Sequence, residues 1–230
     1  MKRFYKSASV GAVDGEFEIL LDGRAVRTPA RAPLRLPSRS LADAIVAEWS
    51  EQDATIDPRA MRLTGLANAA IDRIAPDPHA FALGLAAYGE SDLLCYRADR
   101  PEALAARQSL LWEPMLDWAR HRFDVEFAVV CGIVHRPQHP ATIERLRQAV
   151  DARRPFELAA LAPLITISGS LVIALALAEG AVSLSDAWSA ATLDETWQVE
   201  QWGEDAEARR TLDARRHEFE AAHRFLGLLA

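Results

Sequence analysis

Hydrophobic and polar positions change their spacing about forty residues into the chain. Before that point the pattern is strand-like. Segments 3–10 and 16–21 are joined by Asp14-Gly15, a hairpin signal. Asp22-Gly23 marks a second tight turn before Arg24–Thr28, and Pro29, Pro33 and Pro37 punctuate an extended stretch around Leu34 and Leu36. From Ser38 onward the spacing becomes helical. Leu41, Ala44, Ile45, Glu48 and Trp49 recur at three- and four-residue intervals, with Ser38 or Ser40 as the N-cap. Ile56-Asp57-Pro58 breaks the pattern, and 63–74 predicts a second helix that Pro76 stops.

A soft boundary falls at Pro76-Asp77-Pro78. The expected organisation is a small α+β domain over 1–75, with antiparallel strands, and a mostly helical domain over 76–230. Helices are predicted over about 79–88, 101–122, 140–152, 168–179, 184–202 and 205–229. Periodicity does not assign 92–97 and 125–134. The uncharged run 158–178 is long enough to suggest a membrane span. Pro163, Thr166, Ser168, Gly169 and Ser170 interrupt it and no basic cluster flanks it, so a loop followed by a buried helix is expected, capped by Ser168 or Ser170.

Composition narrows the function. The chain has 230 residues, 50% hydrophobic, and a formal net charge of −7. Two cysteines make no disulfide framework and suggest a reducing compartment. The only lysines are Lys2 and Lys6, which removes the phosphate-loop and Schiff-base lysine motifs. The charge is local. Residues 1–39 sum to +4, whereas 186–207 hold seven acids and no base. An acidic chain with an acidic block is a poor nucleic-acid binder.

Candidate chemistry is sparse. Cys131, His135 and His139 have metal-ligand types at four-residue spacing, but Pro137 and Pro140 argue against a helix, leaving a loop with incidental histidines. Glu113, Asp117 and His121 are four apart on a predicted helix, opposite Trp112, Met115, Leu116 and Ala119, which makes them a solvated face. An enzyme or small-molecule binder using Glu113, Asp117, His121 or the His135 region is the alternative reading. Ser168-Gly169-Ser170 fails the nucleophile-elbow pattern, because serine and valine stand where the elbow needs glycine.

The acidic block stands out. On one continuous helix from Leu184, Trp188, Ala191, Glu195, Val199 and Trp202 fall on one stripe. Glu195 is a carboxylate in an apolar row. It is either bonded internally or faces a partner. Trp188, Trp197 and Trp202 among acids, ending at Gly203, suit a surface that receives an arginine-bearing or apolar partner.

A family likeness runs almost end to end. RFYK (3–6), LDGRAVRTPARAPLRLP (21–37), LADAIVAEW (41–49), MRLTGLANAAID (61–72), SDLLCYRA (91–98), RQSLLWEPMLDWA (107–119), ISGSLVIALALA (167–178) and DETWQVEQWGED (194–205) resemble the ATP synthase F(1) assembly chaperones that hold the α subunit. One departure is Arg62, where family members often carry proline. The resemblance implies a molecular chaperone that protects the unassembled α subunit and releases it to β. It implies no catalysis, cofactor or metal. It also gives weight to Glu195, the acid before the aromatic-Gln pair Trp197-Gln198. The expected partner-binding set is Glu195, Trp188, Trp197, Gln198, Trp202, Gly203, Glu204 and Asp205, on a monomer that binds neither nucleic acid nor membrane. With no signal or transit peptide in view, the bacterial cytoplasm is the expected location.

Overall fold

A computed structural model describes residues 1–132 and 134–230. The chain divides into two compact units. The first comprises Met1–Pro78, Arg154–Ala160 and Ala221–Ala230; the second comprises His79–Arg153 and Leu161–Glu220.

The first unit is built on a small antiparallel sheet. Strands β1 (Ala8–Val13) and β2 (Glu16–Leu21) form the hairpin, in register from Ala8 opposite Leu21 to Val13 opposite Glu16. Asp14 and Gly15 both take positive φ, as the tight turn requires. β3 (Arg24–Ala25) and β4 (Arg35–Leu36) both pair with β2. The first strand thus begins at Ala8, later than the expected start at residue 3. Residues 3–7 lie outside the sheet, with Asp22 accepting the Lys6 and Ser7 backbone N–H groups. After the Asp22-Gly23 turn the strand covers only Arg24–Ala25, although Val26 N–H still reaches Ile19 O at 2.8 Å.

Helix α1 (Arg39–Ser50) is capped by Ser38, whose hydroxyl accepts the Leu41 N–H. It buries Leu41, Ala42, Ile45 and Trp49 against Ile19, Leu34 and Leu36. Helix α2 (Arg62–Ala69) has no cap of its own. Glu48 supplies one, accepting the Leu63 N–H at 2.7 Å and the Thr64 N–H at 2.8 Å. The predicted single helix over 63–74 changes at Ala70 into a π-helical turn, Ala70–Ile74.

The second unit is helical. It contains α3 (Pro78–Ala86), α4 (Glu102–Phe123), α5 (Pro140–Asp151), α7 (Leu171–Ala178), α8 (Leu184–Ala191) and α9 (Leu193–Trp202), and helices α6 (Pro155–Ser168) and α10 (Ala206–Gly227) supply residues to both units. The unassigned runs become a short parallel pair, β5 (Tyr96–Arg97) and β6 (Val130–Cys131); residue 133 of the second run lies outside the described residues. The loop expected before residue 168 is a correction: α6 is helical and includes Pro163. Leu158, Leu161, Leu164 and Ile165 are all fully buried on it, and that apolar burial outweighs the proline's lost hydrogen bond. Ser170 then caps α7.

Asp92 anchors this second core. It is fully buried, and accepts from Leu94 N–H (3.0 Å), Ser170 O–H (2.7 Å) and Val172 N–H (3.0 Å). Burial pushes its pKa up, and these donors pull it back. They also satisfy the first turn of α7, whose residues Leu171–Leu177 are buried. No described helix is long and apolar enough to cross a membrane.

Candidate functional site

The expected helix over 184–202 breaks at Thr192 (φ −113°, ψ 14°). The buried Thr192 hydroxyl donates to Trp188 O at 2.8 Å, and its backbone N–H bonds the same carbonyl. The break corrects the single stripe. Trp188, on α8, is half-buried and packs against Phe219 at 5.6 Å between ring centroids. Ala190 O accepts the buried Trp112 indole N–H at 3.0 Å. On α9 the four-and-three spacing survives, so Glu195, Val199 and Trp202 still share a face.

That face lines a groove of about 580 Å³ with Leu212 and Arg215 of α10. Gly203 turns the chain between α9 and α10 at φ +89°, ψ 170°, a backbone region that only glycine adopts without strain. Its N–H closes α9 on Val199 O at 2.9 Å. Asp205 starts α10 by accepting the Ala208 N–H at 3.1 Å. Glu204 pairs with Arg209 at 3.0 Å.

Glu195 is the polar centre of the groove. Its Oε1 accepts from Arg215 Nη1 at 2.6 Å, and Arg215 Nη2 donates to Ile167 O at 3.0 Å. Its Oε2 is buried without a hydrogen-bond partner. The carboxylate is therefore half satisfied, although the side chain as a whole is 46% exposed. Trp202 beside it is 79% exposed, and Val199 is 39% exposed. Gln198 lines the same groove, whereas Trp197 is half-buried and outside the groove lining. The other face of α9 is tied to α4: Asp194 accepts from Gln108 at 2.8 Å, and Glu200 pairs with Arg107 at 2.6 Å. That bond holds the Glu200 carboxyl below its ordinary range. Sequence reasoning missed Arg215. It lies twenty residues after Glu195 on another helix, and no spacing rule links them.

The residues of the alternative reading fall elsewhere. Glu113 pairs with Arg97 at 3.0 Å and Arg120 at 2.7 Å, and Asp117 with Arg120 at 2.5 Å. His121 Nδ1 bonds Asp117 O at 2.7 Å. His135 meets the Tyr96 hydroxyl at 2.8 Å, and His139 accepts the Ala141 N–H at the start of α5. Among the described residues, no three His, Cys, Asp or Glu side chains are grouped to hold a metal ion.

The architecture has close relatives. The crystal structure of Atp12 from Paracoccus denitrificans matches with a TM-score of 0.94 at 40% identity, over 100% of this chain and 98% of that one. A protein from Agrobacterium tumefaciens described as a candidate chaperone matches with a TM-score of 0.94 at 44% identity, over 100% of this chain and 86% of that one. The curated protein atp12, mitochondrial, from Schizosaccharomyces pombe is 23% identical over 214 residues, 88% of this chain and 74% of that protein. The fold and these relatives thus define an assembly chaperone with an α+β unit and a helical unit. The family model described as ATP12 chaperone protein matches residues 2–120, and the chain belongs to that family of ATP synthase assembly chaperones.

Proposed function

We propose that the protein holds the unassembled α subunit of ATP synthase and yields it to the β subunit, and that the α9–α10 groove is part of the holding surface. The observation that carries this reading is Glu195. A buried carboxylate oxygen without a donor is costly inside one chain. A partner that brings a cation or N–H to Oε2 removes that cost, and Trp202 offers that partner an apolar contact.

The physical task fits such a surface. An unassembled subunit exposes apolar area that invites aggregation. A chaperone must cover that area less firmly than the true neighbour does. Trp202 and Val199 cover; Glu195, Glu204 and Asp205 select by charge. Gly203 fixes the turn, Gln198 adds an adaptable polar group, and Trp188 supports the site from within. Release comes from displacement by β; the sequence carries no phosphate-loop motif through which this protein would drive it by hydrolysis.

The test is co-expression of an isolated α subunit with the wild-type protein and with Glu195→Lys. Wild type is expected to keep α soluble, and the variant to lose most of that effect while its circular dichroism stays unchanged. A folded variant that protects α as well as wild type does would remove Glu195 from the surface.

A further inference from the structure

The first unit carries a groove of its own, about 680 Å³ in volume. Met1 and Phe4, 74% and 64% exposed, and half-buried Val26 give it apolar walls, and Trp49 lies at its base. Isolated exposed apolar residues are ordinary; two large ones lining one groove are less so.

Trp49 has an unmet hydrogen-bonding need. The residue is 9% exposed, yet its indole Nε1 has no acceptor. A buried indole N–H normally finds one. The neighbouring Tyr5 hydroxyl donates to Trp49 O at 2.6 Å and does not accept from the indole.

The charge around the groove is basic on balance. Arg24 and Arg27 line it, both exposed, and neither forms an ion pair among the described residues. Arg27 donates from Nη1 to Arg31 O at 2.8 Å. The one carboxylate lining the groove, Asp22, accepts from the Lys6 and Ser7 backbone and the Ser7 hydroxyl, which hold it below the usual carboxylate range. These bonds fix Asp22 to its own chain. The groove thus offers two guanidinium groups without carboxylate partners and an apolar wall.

We propose that this groove docks a segment of a partner protein in which carboxylates alternate with apolar side chains. The carboxylates pair with Arg24 and Arg27, and an apolar side chain packs on Phe4 and Val26. Two arginines are too few for the many phosphate contacts that nucleic-acid affinity needs. The proposal is independent of the α9–α10 reading, which requires a partner of the opposite charge.

Fluorescence anisotropy on the full chain tests it. The probes are a fluorescein-labelled peptide of about ten residues alternating Glu and Leu, the matching Lys and Leu peptide, and an oligothymidylate. The Glu–Leu peptide is expected to bind at least about tenfold more tightly than either other probe. Arg24→Glu with Arg27→Glu is expected to weaken it by a further factor of about ten or more, and Phe4→Ser by a few-fold, while Glu195→Lys leaves it unchanged. Thermal melting checks the fold, and Arg24→Gln with Arg27→Gln replaces the reversal if that variant melts early. Equal binding of the two peptides, tighter binding of the oligothymidylate, or indifference to both arginine double variants overturns the proposal.

Discussion

Asp92 and Glu195 are both acidic side chains of the helical unit, and the chain treats them oppositely. Asp92 is fully buried, and both of its oxygens accept hydrogen bonds from the start of α7 and its neighbours. Glu195 gives one oxygen to Arg215 and leaves the other buried and unpaired beside an exposed tryptophan. A satisfied acid fixes a core. A half-satisfied acid in a groove leaves room for another molecule's donor.

The sharpest way to break this comparison is Asp92→Ala. It strands the Ser170 hydroxyl and the N–H groups of Leu94 and Val172. The expected cost is about 3–5 kcal/mol, read as a fall in the denaturant midpoint at unchanged slope. A loss under about 1 kcal/mol would mean that the helix start is satisfied without Asp92.

Next in size is Gly203→Val, which forces a branched side chain into the φ +89° turn. Open space surrounds the position, so backbone strain alone of about 1–3 kcal/mol is expected. Urea unfolding measures it, and a neutral result would show that the turn relaxes freely.

Glu195→Ala is expected to cost about 1 kcal/mol or less, since its pair with Arg215 is partly exposed and one oxygen already lacks a partner. A loss as large as that of Asp92→Ala would make Glu195 a core residue and dissolve the contrast.

The smallest effect is a pH dependence. Arg107 holds the Glu200 carboxyl below its ordinary range, so the pair's stabilisation is present above the unfolded carboxylate pKa and disappears as pH falls through the lowered folded value. Glu200→Gln is expected to flatten the acid limb of a melting-temperature profile slightly. Identical acid limbs would show that the α4–α9 tie adds nothing to stability.

Much of this contrast is visible in the sequence. Asp14-Gly15 and the alternation around it specify the hairpin, Ser38 marks the start of α1, and periodicity finds α4, α5 and α10 within a residue or two. Glu195 stands out because its helix spacing sets it in an apolar row. What is hidden depends on contacts distant in sequence. Pro163 and Gly169-Ser170 read as loop chemistry, and only burial of the residues around them reveals α6. Thr192 carries no glycine or proline signal, so the break that sets Trp188 against Phe219 is invisible. Asp92 sits in an unassigned apolar run, 78 residues from the Ser170 it binds. The positive sum over 1–39 is legible, but that Arg24 and Arg27 line one groove with Trp49 is not.

The most direct measurement is the affinity of purified α subunit for wild type and for Glu195→Gln, by titration calorimetry at matched fold. Glutamine keeps the shape and removes the charge. At least a tenfold weaker Kd, about 1.4 kcal/mol, with an unchanged melting temperature is the predicted result. An unchanged Kd would contradict the assignment of the α9–α10 groove to the surface proposed to hold the α subunit.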